Sequence, residues 1–330
     1  MLHPLEHPVS RRRAARVPQL VRRAFAADAP LTIVGLGSLA MLLVALVGLI
    51  ADPTIITGVP AWLKPLKFAV SIAVYSFTLL WLLGYVQGHA RLVKVVSFGT
   101  GLGFVAELAL ITMQVVRGTT SHFNFATPFD GFVFERMRDF IVLVFTMGLV
   151  AAVLLLRQRL PDRVFAAALR GGIGLSLLGM AVAILMTVPL PMTRAAFTGA
   201  DGGAHSVGVA DGGPGLPLVG WSTVGGDLRA AHFIGLHAMQ LLPLLGWALV
   251  RRRFDWLGDG TRLALVRIAG LAYLGLVLLL TWQALRGQSI VAPDGLTLAV
   301  AGALLAVTAL AVGITLGVGR RGKYGIMAGG

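Results

Sequence analysis

Residues 31–51 read LTIVGLGSLAMLLVALVGLIA, an apolar run without one charged side chain. As a helix rising 1.5 Å per residue, this run covers the roughly 30 Å of hydrocarbon in a bilayer. Its reading decides the fold, because runs of the same kind recur along the chain. They fall near 66–86, 96–116, 139–156, 170–189, 229–250, 262–284 and 296–318. Over the 330 residues 57% are hydrophobic and 13% charged, whereas a soluble domain carries about 25% charged; the mean hydropathy is +0.84. The fold class that follows is an all-α integral membrane protein with eight transmembrane helices. Cysteine is absent, which excludes disulfides, thiolate metal ligands and cysteine nucleophiles.

The net charge of +14 matters through its placement rather than its sum, so nucleic acid is not the expected partner. Only eight of the 28 basic residues fall on one side of the eight spans: Lys64, Lys67, Arg117, Arg136, Arg138, Arg194, Arg229 and Arg286. The rest lie on the side of both termini, which the positive-inside rule assigns to the cytoplasm. Residues 1–30, with Arg11-Arg12-Arg13 and Arg22-Arg23, read as a basic, disordered cytoplasmic segment facing anionic membrane lipids. The run at 31–51 lacks a small-residue cleavage site, so it is a retained helix rather than a signal peptide. Residues 31–156 then form a first four-helix unit, 157–169 a cytoplasmic linker, 170–318 a second four-helix unit and 319–330 a cytoplasmic tail.

The long connections, 117–138 and 190–228, both face outward. The second contains GADGGAHSVGVADGGPGLPLVGWSTVGGD (199–227), whose aspartates match no calcium-binding loop or nonapeptide repeat.

Two pairs of segments match. TMQVVRG (112–118) ends the third span and TWQALRG (281–287) the seventh; Asp130-Gly131 follows the first and Asp294-Gly295 the second. LKPLKFAVSIAVY (63–75) also lies over LRAAHFIGLHAMQ (228–240), pairing Lys64 with Arg229 and Lys67 with His232. Order and polar signature are kept, so the expectation is two parallel four-helix repeats about an axis along the membrane normal, with a ligand site between them.

The matches single out cationic residues at equivalent outer positions: Lys64, Lys67 and Arg117 in one half, Arg229, His232 and Arg286 in the other. Helix-end snorkelling is one reading. The sharper one is an anion site for a lipid phosphate, a carboxylate or haem propionates, with Gln114 and Gln240 as further binding residues. Glu107 is the one acidic residue deep in a span, where a charge is expensive and therefore functional by default. Gln114 lies two turns on, along the same face.

His232 and His237 stand about 140° apart around a helix, with His237 roughly 7 Å deeper. His237 is thus the deeper candidate ligand, sharing a face with Gln240, while His232 belongs to the rim. His237 and His122 are candidate ligands for a transition metal, and haem b is the alternative cofactor; there is no HExxH pair and no di-iron motif. Glu107 and His237 are the residues expected to carry any chemistry.

The helix count and the two halves are similar to the haem A synthase architecture; histidines are missing from the second, fourth and eighth spans, so none of that family's ligands carry over. WLKPLKFAVSIAVY, RGTTSHFN and GWSTVGGDLRAAHFIGLHAMQ resemble an uncharacterised family of multi-pass membrane proteins from high-GC bacteria. That resemblance implies a bacterial plasma membrane and a shared site. Three classes of function follow. The first is a haem- or metal-dependent redox protein with an outward-facing polar site. The second is a proton-coupled transporter of an anionic small molecule. The third is a non-catalytic component that binds lipid or a partner.

Overall fold

The structure, a computed structural model, describes residues 16–187, 203–251 and 256–327. Helix α1 (Arg16–Ala27) leads into α2 (Ala29–Ala51). A short ladder of β1 (Ile55–Ile56) and β2 (Val59–Pro60) follows, then α3 (Leu63–Leu83), α4 (Ala90–Val116) and α5 (Pro128–Arg157). Helix α6 (Arg163–Val182) continues as a 3-10 turn over Ala183–Met186. Strands β3 (Ser206–Val207) and β4 (Gly226–Asp227) pair antiparallel ahead of α7 (Leu228–Leu249), α8 (Asp259–Leu285) and α9 (Gly295–Met327). From α2 to α9, eight helices are long and apolar enough to cross a membrane. The protein is an all-α multi-pass membrane protein.

Two elements depart from expectation. The basic N-terminal segment is helical over α1, where Val17, Leu20, Val21, Ala24 and Phe25 recur at helical spacing and form one apolar face opposite Arg22 and Arg23. Its first fifteen residues, with Arg11-Arg12-Arg13, lie outside the described ones. Helix α5 begins at Pro128, well before the apolar run at 139. Thr127 caps it: its hydroxyl accepts the Asp130 N–H at 3.1 Å and donates to the Asp130 carboxylate at 2.6 Å. The turns that follow carry Glu135, Arg136, Arg138 and Asp139, all about half exposed, and those charges hide the helix from a hydropathy reading. The connection is therefore 117–127 rather than 117–138.

The chain forms two compact units. The first takes in the chain to Asp52, Trp62–Met113 and Met137–Leu155; the second takes in Pro53–Ala61, Gln114–Arg136 and the chain from Leu156. The stretches 53–61 and 114–136 thus fall in the second unit.

In the first unit, Asp28 caps α2 by accepting the Leu31 N–H at 2.9 Å, and the Ser97 hydroxyl of α4 donates to its other oxygen. Trp62 Nε1 donates to Asp52 at 2.8 Å, tying the end of α2 to the start of α3. Gly48 makes room for that indole: a Cβ there would stand 2.2 Å from the ring. On α4, a Cβ at Gly99 or Gly103 would stand 2.8 Å from Met147 or 2.6 Å from Val144. These glycines are packing positions that bring α5 close.

In the second unit, α6 and α7 meet backbone to backbone. A Cβ on Gly179 would lie 2.5 Å from Gly235, and one on Gly246 would lie 2.4 Å from Ala168. Small residues at such contacts replace the hydrophobic drive that helices lack in lipid with close van der Waals packing. His232 Nδ1–H donates to the Gly179 carbonyl at 2.8 Å and Tyr273 Oη–H to the Ile234 carbonyl at 2.5 Å, so the α6–α7–α8 contacts carry polar ties as well.

Candidate functional site

Helix α4 carries a buried face of unusual composition. Ser97, Thr100, Phe104, Glu107, Ile111 and Gln114 follow one another at spacings of three and four, which keeps them on one side of a helix. All are buried, and Glu107 is 0% exposed. Glu107 sits nine residues before Val116, about 14 Å of helix inside the C-terminal end of α4.

Within the first unit α3 runs against this face. The Tyr75 ring meets Phe104 edge-on with centroids 5.1 Å apart, and Phe68, Ile72 and Leu108 belong to the same cluster. Leu79 and Leu83 lie with Val93 and Val96 in the next. This antiparallel register sets the small, buried Ala69 level with Glu107, and Ser76 level with Thr100. Lys64 and Lys67 are half-buried on the opening turns of α3, and the Lys64 ammonium is near enough to act on the charge of Glu107. Two residues singled out separately in the sequence, Lys64 and Glu107, thus belong to one electrostatic site.

The arginines Arg117, Arg229 and Arg286 have a different role. Arg117 Nη1 reaches Asp130 at 2.6 Å and also donates to the Gln114 side-chain oxygen; Gln114 Nε2 donates to Asp130 at 3.0 Å, and the guanidinium stacks on Phe129. Arg286 reaches Asp294 at 2.5 Å, bonds Thr297 and stacks on Trp282. The Arg286 fork, with the Thr297 N–H and hydroxyl, holds the Asp294 carboxyl well below the usual carboxylate range. In both places the glycine after the arginine, Gly118 or Gly287, takes a left-handed φ of 70° or 71°. The next N–H returns to the carbonyl of Gln114 or Gln283, the αL helix ending that favours glycine. The two Thr-x-Gln-x-x-Arg-Gly segments close their helices in the same way. Arg229 forks onto Asp227, at 2.6 Å from Nη2 and 2.9 Å from Nε, and donates to the Gly220 carbonyl. Each arginine meets a carboxylate, so none presents an uncompensated charge to an anion.

His122, His205, His232 and His237 lie in the second unit and do not form one ligand set. His237 is half-buried, its ring 4.3 Å from Phe233 and its Nδ1 3.3 Å from Gln240 Oε1. His232 is turned to α6 by its Gly179 bond rather than standing on an open rim. His122 is half-buried beside Phe123 and Phe134, with Nδ1 3.3 Å from the Ser121 hydroxyl. His205 stacks on Phe123 and donates to Asp211 at 2.6 Å. Burial alone would raise the Asp211 carboxyl, but the His205 ring and the N–H groups of His205 and Ser206 outweigh it and hold the group well below the usual carboxylate range. Among the described residues no three His, Asp or Glu side chains come together as metal ligands.

Sequence reasoning missed the aspartates as partners of the arginines, although Asp-Gly after each Arg-Gly was the visible signal. It also missed Ser76 and Thr100, for which an apolar helix offers no pattern. No family model, no curated protein and no solved structure matches the chain.

Proposed function

We propose that the protein is a proton-coupled membrane carrier of a small anion, with Glu107 as the proton-binding group and Lys64 as the cation that answers it. One observation carries this reading: a glutamate with no exposed surface, in the middle of an apolar span, lies within electrostatic reach of a lysine on the neighbouring helix. An ionised carboxylate in hydrocarbon must be paired or protonated, and that requirement makes the pair a two-state device. With Glu107 ionised, Lys64 is engaged by it. A proton arriving on a Glu107 carboxylate oxygen removes that negative charge and leaves the ammonium to an incoming anion, with Lys67 one turn deeper on α3. When the anion departs, the proton leaves Glu107 and the pair re-forms. Proton and anion thus travel together, and no net charge is left in the span.

The arginine–aspartate pairs support the choice, since Arg117, Arg229 and Arg286 each already meet a carboxylate. Pyranine-loaded proteoliposomes given an inward gradient of succinate or phosphate test the reading. Internal acidification is expected for the wild type and its loss in Glu107→Gln and Lys64→Met. Acidification by Glu107→Gln at the wild-type rate would remove the proton role from this residue.

A further inference from the structure

Serine and threonine hydroxyls in helices have a ready local partner, the carbonyl one turn back. This chain uses it at Thr78, Thr112, Thr146, Thr281 and Thr308, each donating to the residue four before it at 2.7 or 2.8 Å. Ser76 and Thr100 do not. Both are 0% exposed, and their hydroxyl oxygens have no hydrogen-bond partner among the described residues. They stand level on α3 and α4, by the register that brings Tyr75 onto Phe104. A buried hydroxyl without a partner is costly, and ordered water is what ordinarily satisfies such groups.

Their position along α4 gives the pair a purpose. Thr100 is two turns from Glu107 on the same face, with Phe104 between, and Ser97 is one turn further on. The Ser97 hydroxyl donates to Asp28, the carboxylate between α1 and α2 at the opposite end of the span. The polar groups therefore form two limbs: Lys64 and Glu107 on the outer side of the Tyr75–Phe104 contact, and Ser76, Thr100, Ser97 and Asp28 on the other.

We propose that Ser76 and Thr100 hold ordered water in the middle of the first unit, and that this water is the inner limb of a proton path gated by Phe104 and Tyr75. The path, though not the water site, rests on the carrier reading of Glu107. In one passage Phe104 moves aside, the Glu107 O–H bond breaks and its proton passes along water to Thr100. A proton from the far end of that water chain is taken up by an Asp28 carboxylate oxygen and then released to the water at that end of the span, and the Glu107 carboxylate returns to Lys64. No other reactant is consumed.

Water-edited solid-state NMR of the full chain, labelled at Ser and Thr and reconstituted in lipid, tests the site without requiring transport. Magnetisation is expected to pass from water to Thr100 and Ser76 but not to the back-bonded Thr146 and Thr308. If Thr100 and Ser76 receive no more than those two, the proposal is wrong, whatever Glu107→Gln does. The path is tested by proton flux in proteoliposomes. The Ser76→Ala/Thr100→Val double variant is expected to slow flux about tenfold, the scale on which one lost hydrogen bond acts on a barrier, while Phe104→Ala raises basal leak. Wet hydroxyls with undiminished flux in the double variant, alongside loss in Glu107→Gln, would overturn the path while leaving the carrier reading intact. Full flux in Glu107→Gln with wet hydroxyls would overturn both the carrier reading and the path.

Discussion

Replacing Gly179 by alanine should destabilise the second unit, and replacing Gly174 by alanine should do the reverse. The two glycines lie on the same helix, α6, five residues apart. In each case the change adds one methyl group and the same helical propensity, worth about 1 kcal/mol in favour of alanine. The surroundings differ. A Cβ at Gly174 meets nothing within 4 Å, whereas one at Gly179 would stand 2.5 Å from the Gly235 carbonyl carbon and 2.6 Å from its Cα. Carbon atoms rest about 3.5–4.0 Å apart, so α6 and α7 must part by about 1 Å. The His232 Nδ1–H bond to the Gly179 carbonyl, now 2.8 Å, would then exceed hydrogen-bonding distance, a loss of about 1 kcal/mol. Overpacking adds roughly 1–3 kcal/mol. After the propensity gain, Gly179→Ala should cost about 1–3 kcal/mol while Gly174→Ala gains up to about 1 kcal/mol. Unfolding equilibria by steric trapping in bicelles read both values. If Gly179→Ala is as stable as Gly174→Ala, the close approach of α6 and α7 is not as described.

Removing Asp227 should be among the costliest single changes in the second unit. It caps α7, accepts from the Ser222 N–H at 2.8 Å and holds the Arg229 fork with almost no exposed surface; Asp227→Ala should cost about 3 kcal/mol, because Arg229 loses its partner and the helix its cap. Stability measured for the variant and for Asp227→Ala/Arg229→Met should differ, the double change being the milder. Acid should release the segment around His205. The folded Asp211 carboxyl sits below the ordinary carboxylate value of about 3.9, so its contribution is complete above that value and is lost as pH falls through the lower, folded one. Hydrogen exchange at the His205 and Ser206 amides should accelerate in that acid window, and in Asp211→Asn it should already be fast at neutral pH.

The sequence made the spans legible because hydrophobic length is a property of each run by itself. It left α5 short because Glu135, Arg136, Arg138 and Asp139 interrupt hydropathy without interrupting a helix that Thr127 and Asp130 start. It read α1 as unstructured because arginines dominate the composition of that segment, although Val17, Leu20, Val21, Ala24 and Phe25 already spell a helical face. The glycines of α4 and α6 were visible as residues but not as contacts: whether a glycine loosens a helix or admits a neighbour depends on what stands opposite, such as Met147 for Gly99 or Gly235 for Gly179. Glu107 was legible as an expense. Its relation to Lys64 was not, because the register of α3 against α4 is set by Tyr75, Phe104 and the clusters around them.

The positive-inside rule poses a question that the ion pairs answer. Lysines and arginines on the side of the spans away from both termini run against the bias of the remaining basic residues. Arg117, Arg229 and Arg286 cease to be exceptions once Asp130, Asp227 and Asp294 are counted with them, since each pair is neutral and closes a helix end. The planar guanidinium suits that role: Arg286 grips Asp294 with two donors while stacking on Trp282, and Arg117 bonds Asp130 while stacking on Phe129. Lysine offers neither fork nor plane; it is a flexible point charge, suited to changing partners. The division of labour therefore follows from side-chain chemistry. Arginines sit where a charge is matched at a helix end, and lysines sit on the opening turns of α3, where Lys64 is within electrostatic reach of Glu107.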